Sequence, residues 1–600
     1  MNSETKQCQN CHQNFVIEPE DFLFYDKMKV PPPTWCPECR MVRRLSFRNE
    51  RYLYKRTCDL CGNSQISIFS PEGGYKIYCN PCWWSDKWDS LDYGRAYDFS
   101  RPFFEQFDDL MHAVPMPPVW TTYLQLINSE YNNLAGYLRN CYMVSHADHN
   151  EDCAYASGLK YSRDSIDVTM LQNSELCYEC LNVIRGYKNF YCVDCENSRN
   201  LYFCKSCFNC NDCVGCVNLH NKQYYIFNKS YSKEVYQEKY KELNLSSYLT
   251  LEKIKSEASA LWSKYPVKFM HGRHNVNSSG DYIYDSKNTL FSYEMFGAED
   301  CKYCQFASTK ITKDAYDYTE WGFGAELIYE TLLSGEGITR LKFIAHGIGN
   351  VYDAEYSYAI MASSNLFGCL TLRNKKFCIL NKQYSEDEYN TLMPRIRKHM
   401  DEMPYKDKQG RVYRYGEFFP PELSPFTYNE STAHEYFPLT KKEASHKGLA
   451  WRDTEEKSHI PTKSWKDLSD RIEEVDEKIL KDIILCQAWD EDAEEALKHN
   501  CTKVFRLTYQ EFQFYRKNNL PLPRRCYNSR HHERTKFRNP LKLWHRSCQC
   551  SGEKSSNGVY QNTVQHAHGN NACPNEFETS YAPERPEIVY CEQCYQAEVV

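Results

Sequence analysis

Cysteines two residues apart constrain this chain more than any other feature. Cys8/Cys11, Cys36/Cys39, Cys58/Cys61 and Cys79/Cys82 follow one another near the start. Two thiols that close in sequence fit one tetrahedral metal well and a mutual disulfide poorly. Neighbouring pairs group into two four-cysteine sites, Cys8–Cys11–Cys36–Cys39 and Cys58–Cys61–Cys79–Cys82. Four thiolates leave no position open for water, so both sites are expected to be structural. The metal stands in for a core that so short a segment cannot build.

The rest of the composition supports metal over disulfides. The chain has 31 cysteines in 600 residues, whereas secreted disulfide scaffolds are short and carry a leader. Its start, MNSETKQCQNCHQNF, has no basic segment followed by an apolar run. No stretch approaches about 18 consecutive apolar residues, so no membrane span is expected. A reduced, cytoplasmic location is expected. Apolar residues at 42% and aromatics at 15% suffice for packed cores. The excess of Tyr (48) over Phe (30) favours strands. A net charge of −7 gives no global basic field, so nucleic-acid binding would need local patches.

The gap between the first two pairs has room for a short hairpin or helical turn. The run after Cys39, RMVRRLSFRNERYLYKR, reads as helix. A knuckle, a hairpin and a second knuckle at a helix start would make a treble clef. The gap GNSQISIFSPEGGYKIY reads as two strands around SPEGG, as in a zinc ribbon. Arg40, Arg44 and Arg48 recur at helical spacing, with Arg43 and Arg51 close by, a candidate phosphate-binding face. The competing reading is a solvated face paired with acidic residues elsewhere in the chain.

The two ends resemble each other. Residues 11–58 align without a gap onto 501–548, matching Phe22 with Phe512, Tyr25 with Tyr515, Pro31 with Pro521, Cys36 with Cys526, Arg40 with Arg530, Arg44 with Arg534, Arg48 with Arg538 and Cys58 with Cys548. A duplicated module is expected, with the Arg face repeated at Arg530, Arg534 and Arg538. After an insertion, Cys61, Cys79 and Cys82 fall on Cys573, Cys591 and Cys594. The fourth ligand there is Cys548 or Cys550, and His566 and His568 in the insertion are candidates to replace a cysteine. The other C-terminal site keeps Cys501 and Cys526. Cys486 is its candidate third ligand, and His531 or His532 its fourth.

Between the ends, YIFNKSYSKEVY (225–236) matches CILNKQYSEDEY (378–389). Each follows a run of short strand-like pieces separated by Asn, Asp, Ser and Gly. Two β-solenoid-like lobes are expected, at 125–243 and 275–400, each closed by a helix. The first carries Cys177, Cys180, Cys192, Cys195, Cys204, Cys207, Cys210, Cys213 and Cys216. These read either as further metal ligands or, the favoured reading, as a ladder of small buried side chains. Cys301 and Cys304 have no partner pair. His146, Asp148, His149 and Asp152 are types that bind a hydrolytic metal, yet turn residues between rungs explain them more simply. Residues 401–475 read as a Pro-rich linker and 466–498 as an acidic helix or helix pair.

The motifs VPPPTWCPECR, RNERYLYKR, NKxYSxxEY, FFPPELSPF and PEIVYCEQCY resemble those of uncharacterised bacterial multi-zinc-ribbon proteins. The resemblance implies zinc binding and brings no activity. The sequence thus predicts a multidomain, mainly β protein. Double zinc modules at 1–95 and 476–600 flank the two lobes and hold three to four Zn2+ ions. The expected role is a non-enzymatic scaffold whose modules bind RNA, DNA or a ribonucleoprotein. The alternatives are a protein-interaction scaffold and a metal-dependent hydrolase.

Overall fold

A computed structural model describes residues 2–309, 311–453 and 459–600. The chain divides into two compact units that each draw on distant segments. One comprises residues 1–119, 270–452 and 541–543; the other comprises 120–269, 453–540 and 544–600. Each combines a cysteine-cluster segment with a parallel β-solenoid.

In the second unit the solenoid runs from Leu126 to Ile226. Its rungs advance by twelve residues: Leu126 pairs with Leu138, Ser157 with Thr169, Leu181 with Val193 and Asn211 with Gln223, all parallel. Every third residue points inward. Val144, Ala147, Cys153, Ala156, Leu159, Val168, Leu171, Cys177, Cys180, Val183, Cys192 and Cys195 belong to one buried column. The residue before each inward position takes the left-handed conformation, as at Asn140, Asp152, Asp167, Asn182, Asp194 and Asn200. Asn and Asp tolerate that conformation best, which explains the Asn and Asp between the strand pieces. These corners also stack. Asn182 donates to Asp194 at 2.8 Å and Asn200 to Asp212 at 3.0 Å, one rung apart. So each rung is a square of three-residue sides.

Inside, small polar side chains stitch the rungs together. Ser162 Oγ accepts from the Ser174 amide, Ser174 Oγ from Gly186 and Ser198 Oγ from Cys210. Helix Tyr248–Trp262 lays Leu251, Ile254, Ala258 and Trp262 into an outer apolar cluster with Phe190, Tyr202, Phe512 and Tyr515.

The first unit repeats the scheme with a longer, less regular solenoid, from Gly272 to Ile379. Rung steps vary from Gly280↔Ser292 to Ala298↔Thr312 and Ala325↔Ile338. Helices Lys233–Glu242 and Glu386–Glu402 follow the last strands of the two solenoids. Ser385 and Glu388 form the expected reciprocal cap. Among the described residues no helix is long and apolar enough to cross a membrane.

Three local expectations are corrected. The helix after the second knuckle is Pro37–Leu45 rather than the whole run to Arg56; the chain then turns, and Tyr54–Thr57 becomes a strand. Asn49 anchors that turn, donating to the Tyr52 and Ile68 carbonyls. Strand Tyr54–Thr57 pairs with Ser64–Ser67 across the Cys58/Cys61 knuckle, so the SPEGG segment is a short 3-10 turn and not a hairpin tip. Of the helix or helix pair expected over 466–498, only the short helices Gln487–Glu491 and Ala493–Lys498 form, preceded by the 3-10 turns Ile472–Glu474 and Glu477–Lys481. Asp476 and Asp492 each cap a new start. Within the Pro-rich segment 401–475, Tyr413, Phe418, Phe419, Leu423 and Tyr428 are buried.

Candidate metal centres

Each cluster is built the same way. A two-stranded hairpin carries the first cysteines near its tip, and a later cysteine sits just before a helix. The hairpins are Glu4–Gln7 with Asn14–Ile17, Tyr54–Thr57 with Ser64–Ser67, Ile484–Leu485 with Val504–Phe505, and Trp544–Ser547 with Glu576–Thr579. Cys36, Cys79, Cys526 and Cys591 are the residues that precede the helices. Pro37 at the first helical position fixes one of these starts. In all four, that cysteine's amide donates to the first cysteine of the hairpin at 3.2 Å: Cys36 to Cys8, Cys79 to Cys58, Cys526 to Cys486 and Cys591 to Cys548.

Three groups offer four thiols each: Cys8, Cys11, Cys36 and Cys39; Cys58, Cys61, Cys79 and Cys82; and Cys548, Cys573, Cys591 and Cys594. In each, the sulfurs lie within 4.8 Å of one another. A tetrahedral thiolate site with bonds of about 2.3 Å puts neighbouring sulfurs about 3.8 Å apart. The observed separations are 3.7 Å for Cys11–Cys36, 3.7 Å for Cys61–Cys79 and 3.9 Å for Cys573–Cys591. A disulfide would need about 2.05 Å, and all these cysteines are free thiols.

The electrostatics point the same way. Thiols in mutual contact share one negative charge poorly. Contacts with Cys36 and Cys39 hold the Cys8 thiol far below its ordinary range, while Cys36 and Cys8 push Cys39 well above it. Burial raises the Cys58 thiol, but the amides of Cys79, Cys61 and Leu60 outweigh it and bring it down to about 7. Cys548 holds Cys591 down to about 4. A divalent cation among the sulfurs lets all four ionise together. Side-chain amides support the set from outside: Asn10 donates to Cys39 at 3.2 Å and Asn575 to Cys591 at 3.3 Å. These groups are positioned to hold metal ions.

Of Cys548 and Cys550, it is Cys548 whose sulfur groups with those of Cys573, Cys591 and Cys594. Cys550 belongs to a neighbouring group with His566, His568 and Cys594.

Cys486, Cys501 and Cys526 do come together, with Cys501 and Cys526 3.6 Å apart. Ser529 stands where the pattern wants a fourth cysteine, its hydroxyl 3.3 Å from Cys526 and 3.7 Å from Cys486. Neither His531 nor His532 joins these thiols. His532 instead stacks on His499, whose Nε2 meets the Ser529 hydroxyl at 3.0 Å.

The arginine faces are not exposed. Arg40, Arg43, Arg44 and Arg48 are almost fully buried within the first unit. Arg40 pairs with Asp317 at 2.8 Å, and Arg43 with Glu330 at 2.8 Å and Glu417 at 2.9 Å. Arg44 reaches both Asp317 and Glu330 at 3.0 Å, and Arg48 pairs with Glu320 and Glu50. Arg43 also lies over the Trp35 ring. The second unit repeats this. Arg530 pairs with Asp167 and Glu511 at 2.8 and 3.0 Å, and Arg534 with Asp167 and Glu179 at 3.3 and 3.0 Å. Arg51 pairs with Glu435 at 3.7 Å, and Arg538 is half-buried. The acidic partners lie mostly on inner segments far along the chain, a pairing that spacing alone does not reveal.

The central cysteines form the ladder. All nine from Cys177 to Cys216 are buried in the solenoid column, and among the described residues none joins a group of three close metal donors. The overlooked signal is their phase: every spacing among them is a multiple of three, the length of one solenoid side. His149 stacks between Tyr137 and Tyr161 of adjacent rungs and pairs with Asp148 at 2.9 Å, while Asp152 accepts from Asn140. His146, Asp148, His149 and Asp152 therefore serve the rung surface and are not gathered as a metal-binding set.

Compared with known proteins, no protein-family model matches the chain and no curated protein matches its sequence.

Proposed function

We propose that this chain is a non-catalytic, zinc-stabilised scaffold that works through protein interactions. The four-cysteine groups are read as Zn2+ sites of treble-clef and zinc-ribbon kind, in modules that arose by duplication. Helices Lys233–Glu242 and Glu386–Glu402 are read as caps on the solenoid ends. One observation carries this reading: the arginines that would make a nucleic-acid face are engaged with buried carboxylates inside their own units. A phosphate cannot compete for a guanidinium that is desolvated and already paired. All-thiolate sites also have no open coordination position for hydrolysis.

Fluorescence anisotropy of single-stranded RNA and duplex DNA with the zinc-loaded full chain tests the reading. It expects no binding that falls steeply with salt. Affinity that drops by orders of magnitude between low and moderate salt would restore a nucleic-acid role.

A further inference from the structure

We propose that the C-terminal cluster is a two-ion centre in which the Cys594 thiolate bridges two zinc ions. The first ion takes Cys548, Cys573, Cys591 and Cys594. The second takes Cys550, His566, His568 and Cys594, a second four-donor group whose ligand atoms also lie within 4.8 Å of one another. Cys594 is common to both groups, and a thiolate sulfur has lone pairs enough for two metals.

The surroundings of the second group are those of a ligand set. A ligating histidine needs its other ring nitrogen tied to an acceptor, which fixes the tautomer and aims the ring. His568 Nδ1 lies 2.8 Å from the Asn571 carbonyl, which can only accept, so the proton sits on Nδ1. The bare Nε2 then faces Cys594 Sγ at 3.4 Å. Tetrahedral bonds of about 2.0 Å to nitrogen and about 2.3 Å to sulfur put those two atoms about 3.5 Å apart.

His566 Nε2 lies 3.0 Å from Glu598 Oε1, and both side chains are buried. A carboxylate there takes the Nε2–H and leaves Nδ1 its lone pair. Glu598 is held in turn by the amides of Thr563 and Val564 and the Tyr560 hydroxyl. Asn562 donates to Cys550 Sγ at 3.2 Å, as Asn10 does to Cys39. The insertion between Cys550 and Cys573 supplies both histidines, and the N-terminal cluster has no such segment. Loading the second ion displaces the Cys550 thiol proton and leaves the Cys548 site intact.

The test is zinc per chain, by elemental mass spectrometry on reduced full-length protein. H566A/H568A and Cys550→Ser are each expected to lose one zinc relative to the unaltered chain while keeping its circular dichroism. Unchanged zinc in both folded variants overturns the proposal. Should the alanine variant fail to fold, His568→Cys in the cobalt-substituted chain decides. A third thiolate on that ion raises the sulfur-to-cobalt charge-transfer absorption, and an unchanged band overturns the site. Neither result depends on what the scaffold binds.

Discussion

The same C-x2-C spacing does two different jobs in this chain. At the ends, Cys58 and Cys61 sit at a hairpin tip, and their sulfurs converge with those of Cys79 and Cys82. In the solenoid, Cys177 and Cys180 sit on successive three-residue sides of one rung, and each thiol serves its own backbone. Cys180 Sγ donates to the Tyr178 carbonyl and Cys192 Sγ to Phe190, two residues back in each case. One arrangement gathers four sulfurs around a point; the other spreads them along a column. The spacing sets only the distance between two cysteines. Whether they converge depends on what the backbone does between and after them.

Removing a terminal ligand should break this contrast most sharply. Cys58→Ser and Cys36→Ser are each expected to lose one zinc per chain and the local order of residues 2–95. Structural zinc contributes on the order of 10–16 kcal/mol in small metal-dependent folds. Hydrogen exchange is the readout: amides of the hairpins and of Pro37–Leu45 should lose protection. Full zinc and full protection in both variants would sink the metal assignment.

A second effect, of intermediate size, concerns how a cluster segment is held within its unit. Arg44 touches Asp317 and Glu330 with no exposed surface. Burial drives the Glu330 carboxyl above its ordinary range, opposed by Arg43 and Arg44. Arg44→Leu leaves Asp317 to Arg40 and Glu330 to Arg43, one guanidinium short across two buried carboxylates, and should destabilise the first unit by about 3 kcal/mol. Because the zinc ligands lie elsewhere, zinc content should hold. A urea midpoint unchanged from the parent would show that the network is not needed. The equivalent change in the second unit, Arg530→Leu, leaves Asp167 to Arg534 and removes the Arg530–Glu511 pair, and should behave alike.

These differences mark what could be read from the sequence. The terminal ligands were legible because a metal site leaves its mark in local spacing, and Cys8 to Cys39 follow that rule without exception. The solenoid was legible as short strands broken by Asn and Asp, but its period of three was not. Inward positions hold Cys, Ser, Ala, Val and Leu interchangeably, as at Cys153, Ala156, Leu159 and Ser162, so hydrophobicity alone does not mark the phase. The burial of the arginines was not legible for a different reason. Most of their carboxylate partners lie hundreds of residues away, as for Arg40 with Asp317 and Arg534 with Glu179, and helical spacing gives no sign of such docking. His566 and His568 were legible as candidates to replace a cysteine, but not as a group with Cys550, because they come within its reach only when the insertion folds back.

The smallest expected effect sharpens the comparison from the other side. Serine already occupies inward solenoid positions, where Ser165, Ser174 and Ser198 donate to the carbonyls two residues back at 2.8–2.9 Å. Cys192 and Cys180 make the same contact through sulfur at 3.3 and 3.4 Å. A serine at position 192 therefore keeps the hydrogen bond and forgoes only the apolar character and volume of the sulfur. Cys192→Ser should shift stability by about 1 kcal/mol and leave zinc per chain unchanged. The identical substitution at Cys58 removes a metal ligand for which a hydroxyl is a poor replacement. If Cys192→Ser instead lost a zinc ion, the column would be a metal site, and the distinction between converging and stacked cysteines would fail at its centre.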